Sequence, residues 1–137
     1  MIEYLDEDYT EIDDEIKELN IYFQNTMLSK SLRVFSIVGY SLYEFDMFIN
    51  DFNNDMIILN YKLLNEKLGK VIHFDIVFEF NKGKDIKSNI YLRYYKLEKD
   101  IDIFKVIDKF NKLLLRDKKL MVSFEYYLMK YHNKKIN

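Results

Sequence analysis

KVIHFDIVFEFNKGKDIKSNIYLRYYKL, residues 70–97, predicts a β-hairpin. Its first half alternates apolar and polar side chains, so that each set lies on one face of a strand. A polar stretch containing one glycine follows and suits a turn. Pairing Phe80 with Ile86 sets Phe74 opposite Leu92, and apolar side chains then meet across the two strands. The sequence therefore predicts both the hairpin and its register.

Apolar periodicity predicts six further elements along the chain. They are an amphipathic helix at 10–29, a strand at 32–38, a helix at 41–52, a strand at 56–64, a helix at 101–116 and a strand at 121–129. Simple pairing across Leu64 and Lys70 would put Ile57 and Tyr61 on the face of His73. The strand at 56–64 therefore needs a bulge or a different register.

This order of elements predicts the α+β class, with an antiparallel sheet of about four to five strands. Helices are expected to pack on one face of the sheet, and an amphipathic helix precedes it. If 55–68 were helical instead, the order from 32–38 onward would be that of a ferredoxin-like βαββαβ core. The chain is expected to form a single domain over 1–137, with 1–9 and 132–137 flexible.

Composition excludes several classes of protein. The chain has no cysteine and only two histidines, so we expect no disulfide, cofactor or metal. No apolar run approaches the roughly 18–20 residues that span a bilayer. We therefore expect a cytoplasmic protein that does not enter membranes. The chain is rich in Lys, Asn, Ile, Phe and Tyr, whose codons are AT-rich, and this composition indicates an AT-rich genome.

Charge is divided between the two ends of the chain. Residues 1–19 carry nine acids and one base, whereas residues 82–137 carry 15 bases and seven acids. Acids near a helix start can simply match the helix dipole or face solvent. Alternatively, they form a contact surface or lie against the chain's own bases. The acids proposed as partner-binding residues are Glu3, Asp6, Glu7, Asp8, Glu11, Asp14, Glu15 and Glu18.

The polar face of the hairpin offers a second candidate site. His73, Asp75 and Glu79 share this face, and such side chains can hold a metal or exchange protons. Tyr91, Arg93 and Tyr95 would lie across from them, where aromatic and basic side chains can bind unpaired nucleotides. Exposed sheet faces also carry mixed polar pairs for structural reasons alone.

No glycine-rich phosphate loop, nucleophile elbow or zincin helix is found, so we do not expect an enzyme. The leading hypothesis is a small binding protein that inhibits a basic protein partner, of the immunity or anti-defence type, through its acidic N-terminal helix. The alternatives are a single-stranded nucleic-acid-binding domain on the sheet face and a metal-dependent hydrolase at His73, Asp75 and Glu79. A homodimer through helix 10–29 is a further possibility.

Overall fold

The chain folds as four consecutive strands between one long helix and two further helices. The computed structural model describes the backbone of residues 2–50, 55–81, 86–93 and 101–136, and the side chains of residues 14–50, 55–81, 86–93 and 103–132. The elements are α1 (Ile2–Phe35), a 3₁₀ turn (Ser36–Val38), β1 (Ser41–Asn50), β2 (Asp55–Asn65), β3 (Lys70–Phe80), β4 (Lys87–Leu92), α2 (Ile101–Arg116) and α3 (Lys118–Ile136).

The strands form one antiparallel sheet in the order β1-β2-β3-β4. The predicted α+β class is confirmed. The ferredoxin-like alternative is wrong, because the four strands follow one another along the chain and the described residues between them contain no helix.

The hairpin register is confirmed at every predicted pair that the structure describes as paired. Phe74 lies opposite Leu92, and Glu79 lies opposite Lys87. The neighbouring strand β2 pairs with β3 through Asn65 and Lys70, one residue away from the simple pairing. This different register brings the apolar residues of β2 onto the core face. It is one of the two solutions, a bulge or a different register, that the sequence pattern predicted.

The core lies between one face of the sheet and the three helices. Phe35 of α1 and Phe110 of α2 pack against each other at 5.1 Å between ring centroids. Phe35 also contacts Phe74 of β3, and Phe124 of α3 contacts Phe78. Packed aromatic rings therefore join the sheet to all three helices.

Tyr61 of β2 lies at the centre of this core and is fully buried. Its hydroxyl has no hydrogen-bond partner within the described part of the chain, and burial raises the pKa of its phenol far above the ordinary value. Replacing Tyr61 by phenylalanine should raise the free energy of unfolding by about 1 kcal/mol, because an unpaired buried polar group is removed. Urea unfolding measures the change, and a loss of stability would contradict the expectation.

The strand predicted at 32–38 is wrong. Helix α1 continues to Phe35, whose ring enters the core, and one 3₁₀ turn follows. Gly39 then adopts a φ of 83°, and its N–H donates to the carbonyl of Ser36 at 3.0 Å. Glycine in the left-handed region is a common helix stop. The β-branched run thus belongs to a helix end because burial of Phe35 outweighs local propensity.

The helix predicted at 41–52 is wrong, and a bulge explains the error. The pairing of β1 with β2 shifts between Leu42 and Glu44. An extra residue at this point breaks the alternation of a strand. The inward residues Leu42 and Phe45 are therefore three apart, which is a helical spacing, and true alternation begins only at Phe45. Phe48, which a helix would place on the same side as Leu42 and Phe45, is exposed on the other face of the strand.

The strand predicted at 121–129 is wrong, because α3 covers this segment. Asp117 precedes the helix, and its carboxylate accepts a hydrogen bond from the N–H of Leu120 at 3.1 Å. That bond, together with Lys30, lowers the pKa of the Asp117 carboxyl. The alternating residues Val122 and Tyr126 are exposed, whereas Phe124 is buried. An N-cap signal therefore marks a helix that apolar alternation concealed.

The helix at 101–116 is confirmed, and the helix predicted at 10–29 is present but longer. None of the helices in the described ranges is long and apolar enough to cross a membrane.

The predicted flexibility of 1–9 and 132–137 stays a prediction.

Candidate functional site

A hydrogen-bonded polar cluster occupies the outer face of the sheet, opposite the helices. Asn60 donates to the Oδ1 atom of Asp75 at 2.7 Å and lies 2.9 Å from Nε2 of His73. Arg93 donates through Nε to Oδ2 of Asp75 at 2.8 Å. Asn60, His73 and Asp75 are each at most 9% exposed. We name these four residues the sheet-face cluster.

His73 is held neutral by this arrangement. Both short contacts of Asn60 are made by its Nδ2 atom, so the amide uses one hydrogen for Asp75 and the other for His73. Nε2 of His73 must then accept, which puts the ring proton on Nδ1. Burial lowers the pKa of His73, and the nearby positive charges of Arg93 and Lys62 lower it further.

Lowering the pH should therefore destabilise the fold through His73. The folded-state pKa lies below the unfolded value near 6.5, so the unfolded chain binds the extra proton first. The free energy of unfolding should fall as the pH drops below about 6.5, down to the folded pKa. The His73→Gln variant should lose this slope, and the matched control His132→Gln should keep it. Urea unfolding across this pH range measures both slopes, and an unchanged slope in His73→Gln would refute the argument.

The sheet-face cluster uses part of the predicted nucleic-acid site for contacts within the molecule. Tyr91 lies opposite Asp75, Arg93 belongs to the cluster itself, and Tyr95 lies outside the described residues. Arg93 forms an ion pair with Asp75 at 2.7 Å, and Lys62 forms one with Glu44 at 3.1 Å. Cations neutralised in this way have little charge left for phosphate, although Tyr91 is 54% exposed and could stack on a base.

The predicted metal ligands are not brought together as a set. His73 and Asp75 are neighbours on the outer face, but Glu79 lies two residues beyond Val77 and opposite Lys87. Among the described side chains, no group of three His, Asp or Glu residues could hold a metal ion. The carboxylate of Asp75 is already bonded to Asn60 and Arg93.

The sequence missed Asn60, the residue that joins His73 to Asp75. The register across the 65–70 turn is the signal that would have found it. Simple pairing through Leu64 and Lys70 places Asn60 opposite Phe74, whereas the observed register places it opposite Asp75.

The second candidate surface is the outer side of α1. Asp14 and Glu18 are exposed, and neither has an ion-pair partner within the described residues. They lie on the same side of the helix as the exposed Ile21, at spacings of seven and three residues. The other predicted partner-binding acids, Glu3, Asp6, Glu7, Asp8 and Glu11, lie outside the described side chains.

Glu15 has an intramolecular role instead. Its carboxylate accepts a hydrogen bond from the Tyr126 hydroxyl at 3.0 Å and lies 3.6 Å from Nζ of Lys130. Both partners belong to α3, so Glu15 joins the first and last helices. Sequence position alone could not separate Glu15 from its exposed neighbours, because the packing of α3 was not predicted.

The chain matches no protein-family model, no curated protein and no solved structure.

Proposed function

We propose that this protein is a binding protein whose N-terminal helix contacts a basic protein partner. One observation carries the proposal: Asp14 and Glu18 are exposed on α1 without an ion-pair partner in the described part of the chain. Their charge is therefore available to an incoming molecule. Charges of this kind speed association with an oppositely charged protein and select against wrong partners.

Helix-dipole matching does not account for these acids. The dipole acts within the first turn of a helix. Helix α1 begins at Ile2, so Asp14 and Glu18 lie more than three turns inside it. The acids have no role in capping and, unlike Glu15, no role in joining helices.

Apolar side chains accompany the acids and favour a protein over a polymer of lysine or a small cation. Ile21, Leu28 and Leu32 are exposed on the same side of α1, at spacings of seven and four residues. A helix face with apolar residues at such spacings fits a groove or another helix. Inhibition of a basic enzyme by this face would follow from occlusion of its own binding surface.

Capture from native cell extract tests the proposal with three baits of the full chain. The baits are the unaltered protein, Asp14→Asn/Glu18→Gln, and the control Glu66→Gln/Glu125→Gln, which removes two exposed acids elsewhere. Both variants change the net charge equally. We expect a basic protein to be retained by the first and third baits and lost by the second. Equal retention by all three would refute the proposal.

A further inference from the structure

Exposed apolar side chains occur on both α1 and α3. We name this set the helix face. Its members are Ile21, Tyr22, Leu28 and Leu32 of α1 and Val122, Tyr126 and Met129 of α3, each at least 38% exposed. Rows of exposed apolar side chains on a helix are candidate interaction sites.

The two helices of this face run antiparallel. Glu15 of α1 lies 3.6 Å from Lys130 near the end of α3, and Lys30 lies 3.0 Å from Asp117 just before α3 begins. Each of these contacts joins an acid to a base, so a difference in charge between the two ends comes from the exposed side chains that form no ion pair within the described residues. Beside Glu15, toward the middle of α1, these side chains are the two acids Asp14 and Glu18 and one base, Lys17.

The basic end lies where α1 finishes. Here a cleft of about 330 Å³ is lined by Lys30, Arg33 and Arg116, with Val34 and Leu113 among its apolar walls. Arg33 and Arg116 are exposed and have no ion-pair partner within the described residues. Cations at helix C-termini suit the helix dipole, but their side chains stay open to a further anion.

From this division we propose that the helix face binds a second copy of the chain, with the two α1 helices antiparallel. A two-fold interface is self-complementary, since each contact occurs twice. Antiparallel pairing places the segment with Asp14 and Glu18 of each helix toward the basic end of the other. Parallel pairing would instead place like charges together.

The exposed row of α1 suits such pairing. Asp14, Glu18, Ile21, Asn25, Leu28 and Leu32 alternate at spacings of four and three, the pattern of a helix-pairing seam. If Ile21 meets Leu32 of the second copy, Asn25 meets Leu28. Asp14 and Glu18 then extend past Leu32 toward Arg33 and its neighbours.

This inference rests on the proposed function, because it uses the same acids and supplies a basic partner for them. The second copy and a different basic protein would compete for Asp14 and Glu18. Dimer formation would therefore regulate access to the contact surface, and partner binding would favour the monomer.

Sedimentation of the full chain over a wide concentration range, at low and high salt, tests the inference. We expect a dimer that weakens as salt rises. Leu28→Ser should raise the dissociation constant by about a hundredfold or more, since two leucines leave the interface. The matched control Leu68→Ser, exposed in the turn between β2 and β3, should leave it unchanged. A monomer at every concentration, or equal effects of the two serines, would overturn the inference.

Charge reversal tests the antiparallel direction. Asp14→Lys/Glu18→Lys and Arg33→Glu/Arg116→Glu should each be monomeric, because like charges then meet. An equimolar mixture should form a heterodimer, since opposite charges meet again at both ends. Failure of the mixture to associate would overturn the arrangement. If the unaltered protein is monomeric but still captures a basic partner, this inference fails and the proposed function stands. If it is a dimer but captures no basic protein, this inference stands and the proposed function fails.

Discussion

Phe74→Ala is expected to lower the free energy of unfolding by about 3–5 kcal/mol, the usual cost of removing a buried ring. Phe74 is fully buried on the core face of β3, stacked on Tyr61 at 5.1 Å between ring centroids. It also contacts Phe35 of α1, so the ring joins the sheet to the helical layer. Its removal would leave a cavity that this many aromatic neighbours cannot easily fill. Urea unfolding measures the loss.

Tyr91→Ala is the matched control, because it truncates an aromatic side chain on the same hairpin. Tyr91 lies on the outer face and is largely exposed, so we expect a loss below about 1 kcal/mol. If the two variants lost equal stability, the two faces of the hairpin would be assigned wrongly.

Asp75→Ala is the second large expected effect, at about 2–3 kcal/mol. The substitution leaves the Asn60 amide buried without its acceptor and removes the partner of Arg93. The side chain of Arg93 is 54% exposed and can turn toward water, which keeps the loss below that of a fully buried ion pair. Chemical unfolding of the variant gives the magnitude.

Glu44→Ala provides the comparison for Asp75. Glu44 forms an ion pair with Lys62 on the same face, but its side chain is half exposed. Exposed pairs contribute little, and we expect a loss below about 1 kcal/mol. A stable Asp75→Ala variant would mean that the sheet-face cluster is not structural, and its polar groups would then require a functional explanation.

The sequence predicted the hairpin because several independent features agree there. Alternation, a polar turn and cross-strand pairing all favour one register. Tertiary packing favours the same register, so the local pattern and the fold agree. The helices at 10–29 and 101–116 were also predictable, since their apolar stripes repeat at three and four residues.

The errors arose where local pattern and tertiary packing disagree. The bulge after Leu42 gave a strand the spacing of a helix, and the alternation of Val122, Phe124 and Tyr126 gave a helix the spacing of a strand. Two local signals were available at these boundaries. Gly39 marked the end of α1, and Asp117 marked the start of α3.

The candidate sites show the same limit. The sequence predicted that His73, Asp75 and Arg93 would be neighbours, because they belong to one hairpin. It did not identify Asn60, because the choice between a bulge and a different register was left open, and this choice decides which β2 side chain faces Asp75. Nor could it separate Glu15 from Asp14 and Glu18, because the position of α3 determines which acid is used within the molecule.

Binding of a fluorescent, amphipathic and lysine-rich helical peptide to the full chain, measured by anisotropy at low and high salt, is the sharpest test of a contact surface on α1. We expect salt-sensitive binding that Asp14→Asn/Glu18→Gln weakens by about tenfold, the effect of losing roughly 1.4 kcal/mol. The control Glu66→Gln/Glu125→Gln should bind as the unaltered protein does, with all three equally stable in urea. Equal weakening by both variants would mean that only net charge matters and would contradict a contact surface on α1.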